Sequence, residues 1–136
     1  MDDWFEKEEL HFAVQDGDIE KVRALIDQGA IVNTFDQIDK TPLHYATESE
    51  NFQIIELLLK AGADPNAHNE KNIGNTPLRN VASKCSLKLA KVLIKAGADP
   101  SIKGWMQISA IDIAKKRKRG GPMVYKLFID TVNKCA

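Results

Sequence analysis

The sequence predicts an all-α protein built from short helix pairs stacked on one another. The main observation is an internal repeat: Thr-Pro-Leu-His at 41–44 returns as Thr-Pro-Leu-Arg at 76–79, and Lys-Ala-Gly-Ala-Asp-Pro at 60–65 returns unchanged at 95–100. Between these landmarks, apolar residues recur at helical spacing. A repeat of this length is typical of a stacked architecture, which offers an extended surface to a partner instead of a closed pocket.

The first helix of each copy is predicted to begin at its proline. Pro42 and Pro77 directly follow Thr41 and Thr76. Proline is favoured at the first helical position because the missing N–H has no partner there, and threonine is a common N-cap. The residues expected on the buried face of these helices are Leu43, Ala46 and Thr47, and then Leu78, Val81 and Ala82.

A second helix follows in each copy and is predicted to end at a glycine. Gly62 and Gly97 stand where a residue of positive φ often ends a helix. The Asp-Pro pairs that come next turn the chain out of helix. The apolar residues of these helices are Ile54, Ile55, Leu58 and Leu59, and then Leu89, Val92, Leu93 and Ile94.

The segment 41–46, Thr-Pro-Leu-His-Tyr-Ala, resembles the T-P-L-H-x-A signature of the ankyrin family. His11 and Gly29 stand 33 residues before His44 and Gly62, and Ser109 stands 33 residues after Thr76. The resemblance implies an all-α ankyrin-repeat solenoid of about four repeats, each a helix-turn-helix with a finger loop. We expect one domain over 1–136, with repeats at about 5–37, 38–72, 73–105 and 106–134 and the outer two as caps.

The copies depart from the family pattern at three places. Glu50 stands where the turn between helices usually has glycine, as Gly17 does in the first repeat. Arg79 replaces the histidine of the signature. The loop 67–75 is two residues longer than a 33-residue period requires, and such insertions often lie on the binding face.

Composition and charge exclude several classes of protein. There is no apolar run near 18 residues, so no spanning helix is expected. The acidic N-terminus lacks the layout of a signal peptide, and we expect a cytoplasmic protein with Cys85 and Cys135 as reduced thiols. The net charge is zero, although residues 2–9 are mostly acidic and residues 115–119 are all basic.

No catalytic motif is present, so we predict a protein that is not an enzyme and that has no cofactor, metal or small-molecule substrate. The family resemblance gives His44 a structural role, bracing its turn through hydrogen bonds, and His11 the same role. His68 lies in the enlarged loop, where it can touch a partner, but no second metal ligand stands at a useful spacing.

The resemblance implies that the finger loops 33–40, 66–75 and 101–108 line a concave face together with the inner helices. Large apolar residues at loop tips are unusual unless they are buried or contact a partner. We therefore predict binding of another protein by a chain that is a monomer when free. The predicted contacts are Phe35, Tyr45, Ser49, His68, Ile73, Asn80, Lys84, Trp105, Lys116 and Arg117.

The basic run 115–119 leaves several interpretations open. It fits a solvated helix end, a rim for an acidic protein partner, a localisation signal or a nucleic-acid patch. The segment 104–112 resembles the final repeat of small bacterial ankyrin proteins, some of which are similar to immunity proteins that bind and neutralise a toxin domain. An immunity protein is thus the most specific prediction. The alternatives are an adaptor or scaffold of a regulatory complex and a nucleic-acid-associated regulator that uses the basic run.

Overall fold

The structure, a computed structural model, describes residues 3–71 and 74–135. Within these ranges the chain is all-α, as predicted, with eight α-helices, one short 3-10 turn at Trp105–Gln107 and no extended strand. The helices are α1 Asp3–Asp16, α2 Ile19–Asp27, α3 Pro42–Glu48, α4 Phe52–Lys60, α5 Pro77–Val81, α6 Leu87–Lys95, α7 Ala110–Lys116 and α8 Gly121–Cys135.

The chain divides into two compact units, Met1–Asp64 and Pro65–Ala136. In the first unit, α1 packs against α2 and α3, and α4 packs against α2 and α3. Apolar side chains from all four helices form its core. The buried residues include Leu10, Val14, Val22, Leu43, Ile54, Ile55 and Leu58.

The second unit is built in the same way from α5 to α8. Helix α8 packs against α6 and α7, and α5 packs against α7. Phe128 of α8 is fully buried and is the largest side chain in this core. It is accompanied by Leu78, Val81, Leu89, Leu93, Ala110, Ala114 and Val124.

The helices begin where the sequence predicts. Helix α3 starts at Pro42 and α5 at Pro77, and the Thr76 hydroxyl accepts the backbone N–H of Arg79 at 3.1 Å. Helix α7 has a capping box, in which Ser109 and Asp112 each accept the backbone N–H of the other. These bonds satisfy N–H groups that have no partner within the helix.

The helix ends also follow the prediction. Gly62 and Gly97 have φ of 96° and 101°, the left-handed conformation that glycine adopts without steric cost. All six residues expected on the buried faces of α3 and α5 are buried, as are Leu58 and Leu93. Leu59, Val92 and Ile94, which are also apolar residues of the second helices, are half-buried.

Candidate protein-binding surface

The finger loop of the first unit, residues 33–40, is organised around Asp36. One carboxylate oxygen of Asp36 accepts the backbone N–H groups of Ile38 and Lys40, each at 3.0 Å. The other oxygen accepts the hydroxyl of Tyr45 from α3. The finger is therefore held in one conformation and is tied to the helix beside it.

These contacts shift the titration of both groups. Burial acts to raise the pKa of Asp36, but the hydrogen bonds from Tyr45, Lys40 and Ile38 outweigh it and lower that pKa below its usual value. Burial, followed by the hydrogen bond to the Asp36 carboxylate, raises the pKa of Tyr45. Asp36 is therefore a carboxylate and Tyr45 a neutral donor at neutral pH.

Tyr45 has further neighbours besides Asp36. The ammonium group of Lys40 lies 5.2 Å from the centre of the Tyr45 ring and also forms an ion pair with Glu48. The His11 ring meets the Tyr45 ring edge-on, with 6.2 Å between centroids. Tyr45 was predicted as a partner contact; that remains a prediction, but the half-buried side chain also braces the finger.

Other side chains of the first unit remain open to solvent. Phe35 and Ser49, both predicted contacts, are exposed, and Ile38 at the tip of the finger is 65% exposed. The hydroxyl of Ser49 donates to the carbonyl of Ala46 at 3.2 Å. The accessible surface of this finger is thus more apolar at its tip than along α3.

The two histidines of the first unit are structural, as the resemblance implied. His44 accepts the backbone N–H of Thr41 on Nδ1 at 3.0 Å. The Nε2–H of His11 donates to the carbonyls of Thr34 and Lys40, at 2.9 and 3.0 Å. Both rings are buried. Among the described residues, His, Cys, Asp and Glu form no group of three that could hold a metal ion.

The finger loop 101–108 turns back on itself as a hairpin closed by a single bridge, without extended strands. Lys103 and Ser109 form an antiparallel bridge, and the N–H of Ile108 donates to the carbonyl of Trp105 at 3.2 Å. Met106 and Gln107, the central residues of this turn, have φ of 59° and 61°. Such turns match the twist of the flanking strands but favour Asn and Gly, so Met and Gln hold them at a conformational cost.

Two side chains from outside the hairpin hold it in place. Arg79 donates from its guanidinium to the carbonyls of Ile108 and Trp105, at 3.2 and 3.3 Å. Asn75 accepts the backbone N–H of Trp105 at 3.0 Å. Gly104 leaves room for this bond, because a Cβ at position 104 would displace the same Asn75 oxygen.

Sequence reasoning did not assign Arg79 or Asn75 to the site. The only signal available was the replacement of the signature histidine by Arg79. Burial lowers the pKa of Arg79, but a guanidinium starts so high that the group stays charged at neutral pH.

The hairpin presents two large apolar side chains to solvent. Trp105 is 50% exposed and Met106 is 67% exposed. Beside them is a groove of about 560 Å³, whose opposite wall is the enlarged loop with His68, Asn69 and Glu70. The structure thus brings the predicted contacts Trp105 and His68 to one groove.

The remaining predicted contacts of the second unit have different outcomes. His68 donates from Nδ1 to the carbonyl of Asn66 at 2.8 Å and remains partly accessible. Asn80 is half-buried, whereas Lys84 and Lys116 are exposed. Ile73 lies outside the described residues.

Arg117, also a predicted partner contact, is only partly open to solvent. Helix α7 ends at Lys116 and the backbone of Arg117 is extended. The side chain is half-buried, and its guanidinium donates to the carbonyl of Ala82 at 3.3 Å and contacts Cys85 Sγ at 3.7 Å. Arg117 is therefore a structural contact of this unit.

Helix pairs that begin at Thr-Pro-Leu, end at glycine and are joined by finger loops define a helical repeat protein. The family model described as ankyrin repeats, in three copies, matches residues 10–104. The chain belongs to the ankyrin-repeat family, whose repeats are protein-interaction modules.

Similar proteins come from viruses, animals and bacteria. A Fowlpox virus (strain NVSL) protein described as an ankyrin repeat protein is 47% identical over 64 residues, which are 45% of this chain and 15% of the viral protein. The ankyrin repeat and LEM domain-containing protein 1 homolog of Caenorhabditis elegans is 40% identical over 62 residues, 43% of this chain and 9% of the relative.

A bacterial relative is described in the same terms. An ankyrin repeat protein of Rickettsia bellii (strain RML369-C) is 33% identical over 69 residues, 46% of this chain and 41% of the relative. The chain thus spans less than half the length of each of these three proteins. Within the described ranges, no helix has the length and apolar character needed to cross a membrane.

Proposed function

We propose that this chain binds another protein, without catalysis, through the finger hairpin 103–109 of its second unit. The observation that carries the proposal is the pair of exposed side chains, Trp105 and Met106, on a turn held by Arg79 and Asn75. Membership of the ankyrin-repeat family supports protein binding as the class of function. The exposed side chains of the hairpin indicate which surface is used.

The physical argument rests on preorganisation. Binding energy at interfaces is concentrated in a few anchors, among which tryptophan is enriched, and methionine is also common there. An anchor on a rigid element loses less entropy when it binds. Left-handed backbone at two consecutive non-glycine residues is a conformation that proteins retain mainly at functional sites.

More narrowly, we propose that the partner is a bacterial toxin domain and that the chain acts in the cytoplasm as its immunity protein. Support comes from the resemblance of the segment 104–112 to the final repeat of small bacterial ankyrin proteins, and from the bacterial relative. An adaptor in a regulatory complex is the alternative, which the viral and animal relatives favour equally well.

The finger assignment is tested with matched methionine variants. The full chain, immobilised, captures its partner from an extract of the source organism, and affinity is then measured for Trp105→Ala, Met106→Ala and Met123→Ala. Met123 on α8 is exposed to a similar degree as Met106, but it is not part of the hairpin and does not line the groove beside it. We expect Trp105→Ala to weaken binding by about 2 kcal/mol and Met123→Ala to have no effect.

Arg79→Lys tests the preorganisation separately from the contact. Lysine keeps the positive charge but not the planar fork that reaches both carbonyls. We expect weaker binding of the partner, with both anchors still present, and a normal melting curve. Unchanged affinity in Trp105→Ala and Met106→Ala, with the fold intact by circular dichroism, would place the interface elsewhere and refute the proposal.

The identity of the captured partner decides between the narrower proposals. A toxin domain whose activity disappears at equimolar ratio, and whose toxicity to a host cell is relieved by co-expression of this chain, is the result expected of an immunity protein. A regulatory protein without toxicity would instead establish the adaptor.

A further inference from the structure

A second groove lies on the second unit, and Ile108 is the one residue of the finger hairpin 103–109 that lines it. It has a volume of about 1090 Å³, and its walls come from the turn after α5, from α7 and from the segment after α7. That volume is slightly above the usual range for ligand clefts. The cationic residues that line it are Lys84, Lys115, Lys116, Arg117, Lys118 and Arg119.

The negative charge available to balance them is small. Asp112 is the one carboxylate that lines this groove among the described residues. Its Oδ2 accepts the backbone N–H and the hydroxyl of Ser109, at 2.9 and 3.0 Å, so it is engaged at the start of α7. The chain as a whole has no net charge, which makes this concentration of cations local.

Stabilisation of a helix end does not account for the whole cluster. Lys115 and Lys116 lie in the last turn of α7, where cations interact favourably with the helix dipole. Lys118 and Arg119 lie beyond the end of the helix and are exposed, and Lys84 comes from a different part of the chain. The dipole effect falls off within one turn.

The groove also has an apolar component. Ile108 and Ile113 line it, and both are half-buried, so part of each side chain is accessible. Arg117 makes the wall stable, because its guanidinium is bonded to the carbonyl of Ala82. A ligand that fits this arrangement has several negative charges and one apolar group between them.

We propose that this basic groove, lined by 83–84, 108 and 112–119, binds an acidic peptide segment of a partner protein that inserts one apolar side chain against Ile108 and Ile113. The inference deepens the proposed function, on which it rests, by adding a second contact and its chemistry. Charge complementarity of this kind accelerates association and suppresses wrong partners.

The observations favour a peptide over a nucleic acid. No aromatic side chain lines the described groove, so it offers no surface on which bases could stack. The chain is neutral overall, whereas nucleic-acid-binding domains are typically basic. The accessible isoleucines match an aliphatic side chain, which a phosphate backbone does not provide.

The test uses the full chain and a fluorescein-labelled peptide of Glu and Ser residues with one central Leu. Two comparison probes are the same peptide with Ser in place of Leu, and a single-stranded oligothymidylate of equal charge. Fluorescence anisotropy at physiological ionic strength gives each affinity. We expect the Leu peptide to bind about fivefold more tightly than the Ser peptide.

The charge variants are Lys116→Glu with Lys118→Glu, and as a control Lys91→Glu with Lys126→Glu. The control lysines are exposed on α6 and α8 of the same unit and make the same change in net charge. We expect about tenfold weaker binding of the Leu peptide in the groove variant and little change in the control. The milder pair Lys116→Gln with Lys118→Gln serves if the reversal lowers the melting temperature.

Several results would overturn the inference. The first two are that the Leu peptide does not bind detectably, or that the oligothymidylate binds as tightly as the Leu peptide. The other two are that both charge variants lose the same affinity for the Leu peptide, or that replacing Leu by Ser leaves the affinity unchanged. Met123→Ala, on α8 outside the lining of the groove, should leave peptide binding unchanged. Peptide binding and capture of the partner are measured separately. A chain that binds the peptide but captures no partner protein would refute the proposed function alone, and loss of peptide selectivity with intact capture would refute this inference alone.

Discussion

Two repeats of the first unit make the same turn with different residues. After α1, Gly17 has φ of 71°, and its N–H donates to Val14 while that of Asp18 donates to Ala13. After α3, Glu50 has φ of 51° and the equivalent bonds run from Glu50 to Thr47 and from Asn51 to Ala46. This is the arrangement in which glycine commonly follows a helix. We therefore predict that Glu50→Gly stabilises the protein.

The magnitude follows from backbone conformation. A residue with a Cβ loses roughly 1–2 kcal/mol in the left-handed region, and the greater flexibility of unfolded glycine offsets about 0.5–1 kcal/mol of that. A Cβ added at Gly17 would meet only Asn51 Nδ2, at 4.0 Å, so the turn itself contains no clash. We expect Glu50→Gly to add, and Gly17→Ala to remove, about 1 kcal/mol of stability.

Thermal and urea denaturation followed by circular dichroism measures this difference. A gain of about 1 kcal/mol corresponds to a rise of roughly 3–5 °C in melting temperature for a chain of this size. Glu50→Ala is the control, because it removes the same side chain but keeps a Cβ. If Gly and Ala at position 50 shift the midpoint equally, side-chain interactions of Glu50 govern the effect and the argument from backbone strain is wrong.

Two further predictions concern the core and the first finger. Leu58→Ala and Leu93→Ala should each lower the free energy of unfolding by about 2–5 kcal/mol, because both side chains are fully buried; a denaturation midpoint unchanged in either variant would show that the site is not part of the core. Asp36→Asn should destabilise at neutral pH, and the difference from wild type should be complete above about pH 3.8 and vanish as pH falls through the lowered pKa of Asp36. Melting curves of both proteins from pH 7 to 2 measure this. A stability difference between wild type and Asp36→Asn that does not change with pH would show that the carboxylate charge is not its cause. Since Asp36 is only half-buried, solvent screening makes this effect modest.

The scaffold could be predicted from the sequence because its determinants are local. N-caps, prolines at the first helical position and glycines at helix ends act within one turn, and the repeat showed each of them twice. The same reasoning identified Glu50 as a departure from the glycine usual in the turn between helices. Glu50 nevertheless has a positive φ, so the backbone forms the same turn without glycine. Burial of Leu58 and Leu93 followed from their equivalent places in two copies.

The site could be predicted only in part because its decisive contacts are not local. Trp105 and His68 were predicted as contacts and lie along one groove, but the clamp from Asn75 to Trp105 joins residues 30 positions apart. Arg117 was predicted as a partner contact because of its place in a basic run. The hydrogen bond from its guanidinium to the Ala82 carbonyl joins residues 35 positions apart, and the periodicity of the sequence does not predict such a contact.

The largest departure from the repeat signature coincides with the candidate site. His44 accepts the backbone N–H of Thr41, a bond that Arg79 in the equivalent position cannot make because a guanidinium has no acceptor. The hydroxyl of Thr76 accepts the N–H of Arg79 and caps α5, and the Arg79 guanidinium reaches carbonyls 26 and 29 residues further along the chain. One substitution thus exchanges a brace within a repeat for a clamp on the next finger, and that finger is the one that carries Trp105 into solvent. In a repeat protein the signature residues specify the scaffold, so a departure that forms a new long-range contact indicates where this chain differs from a generic stack.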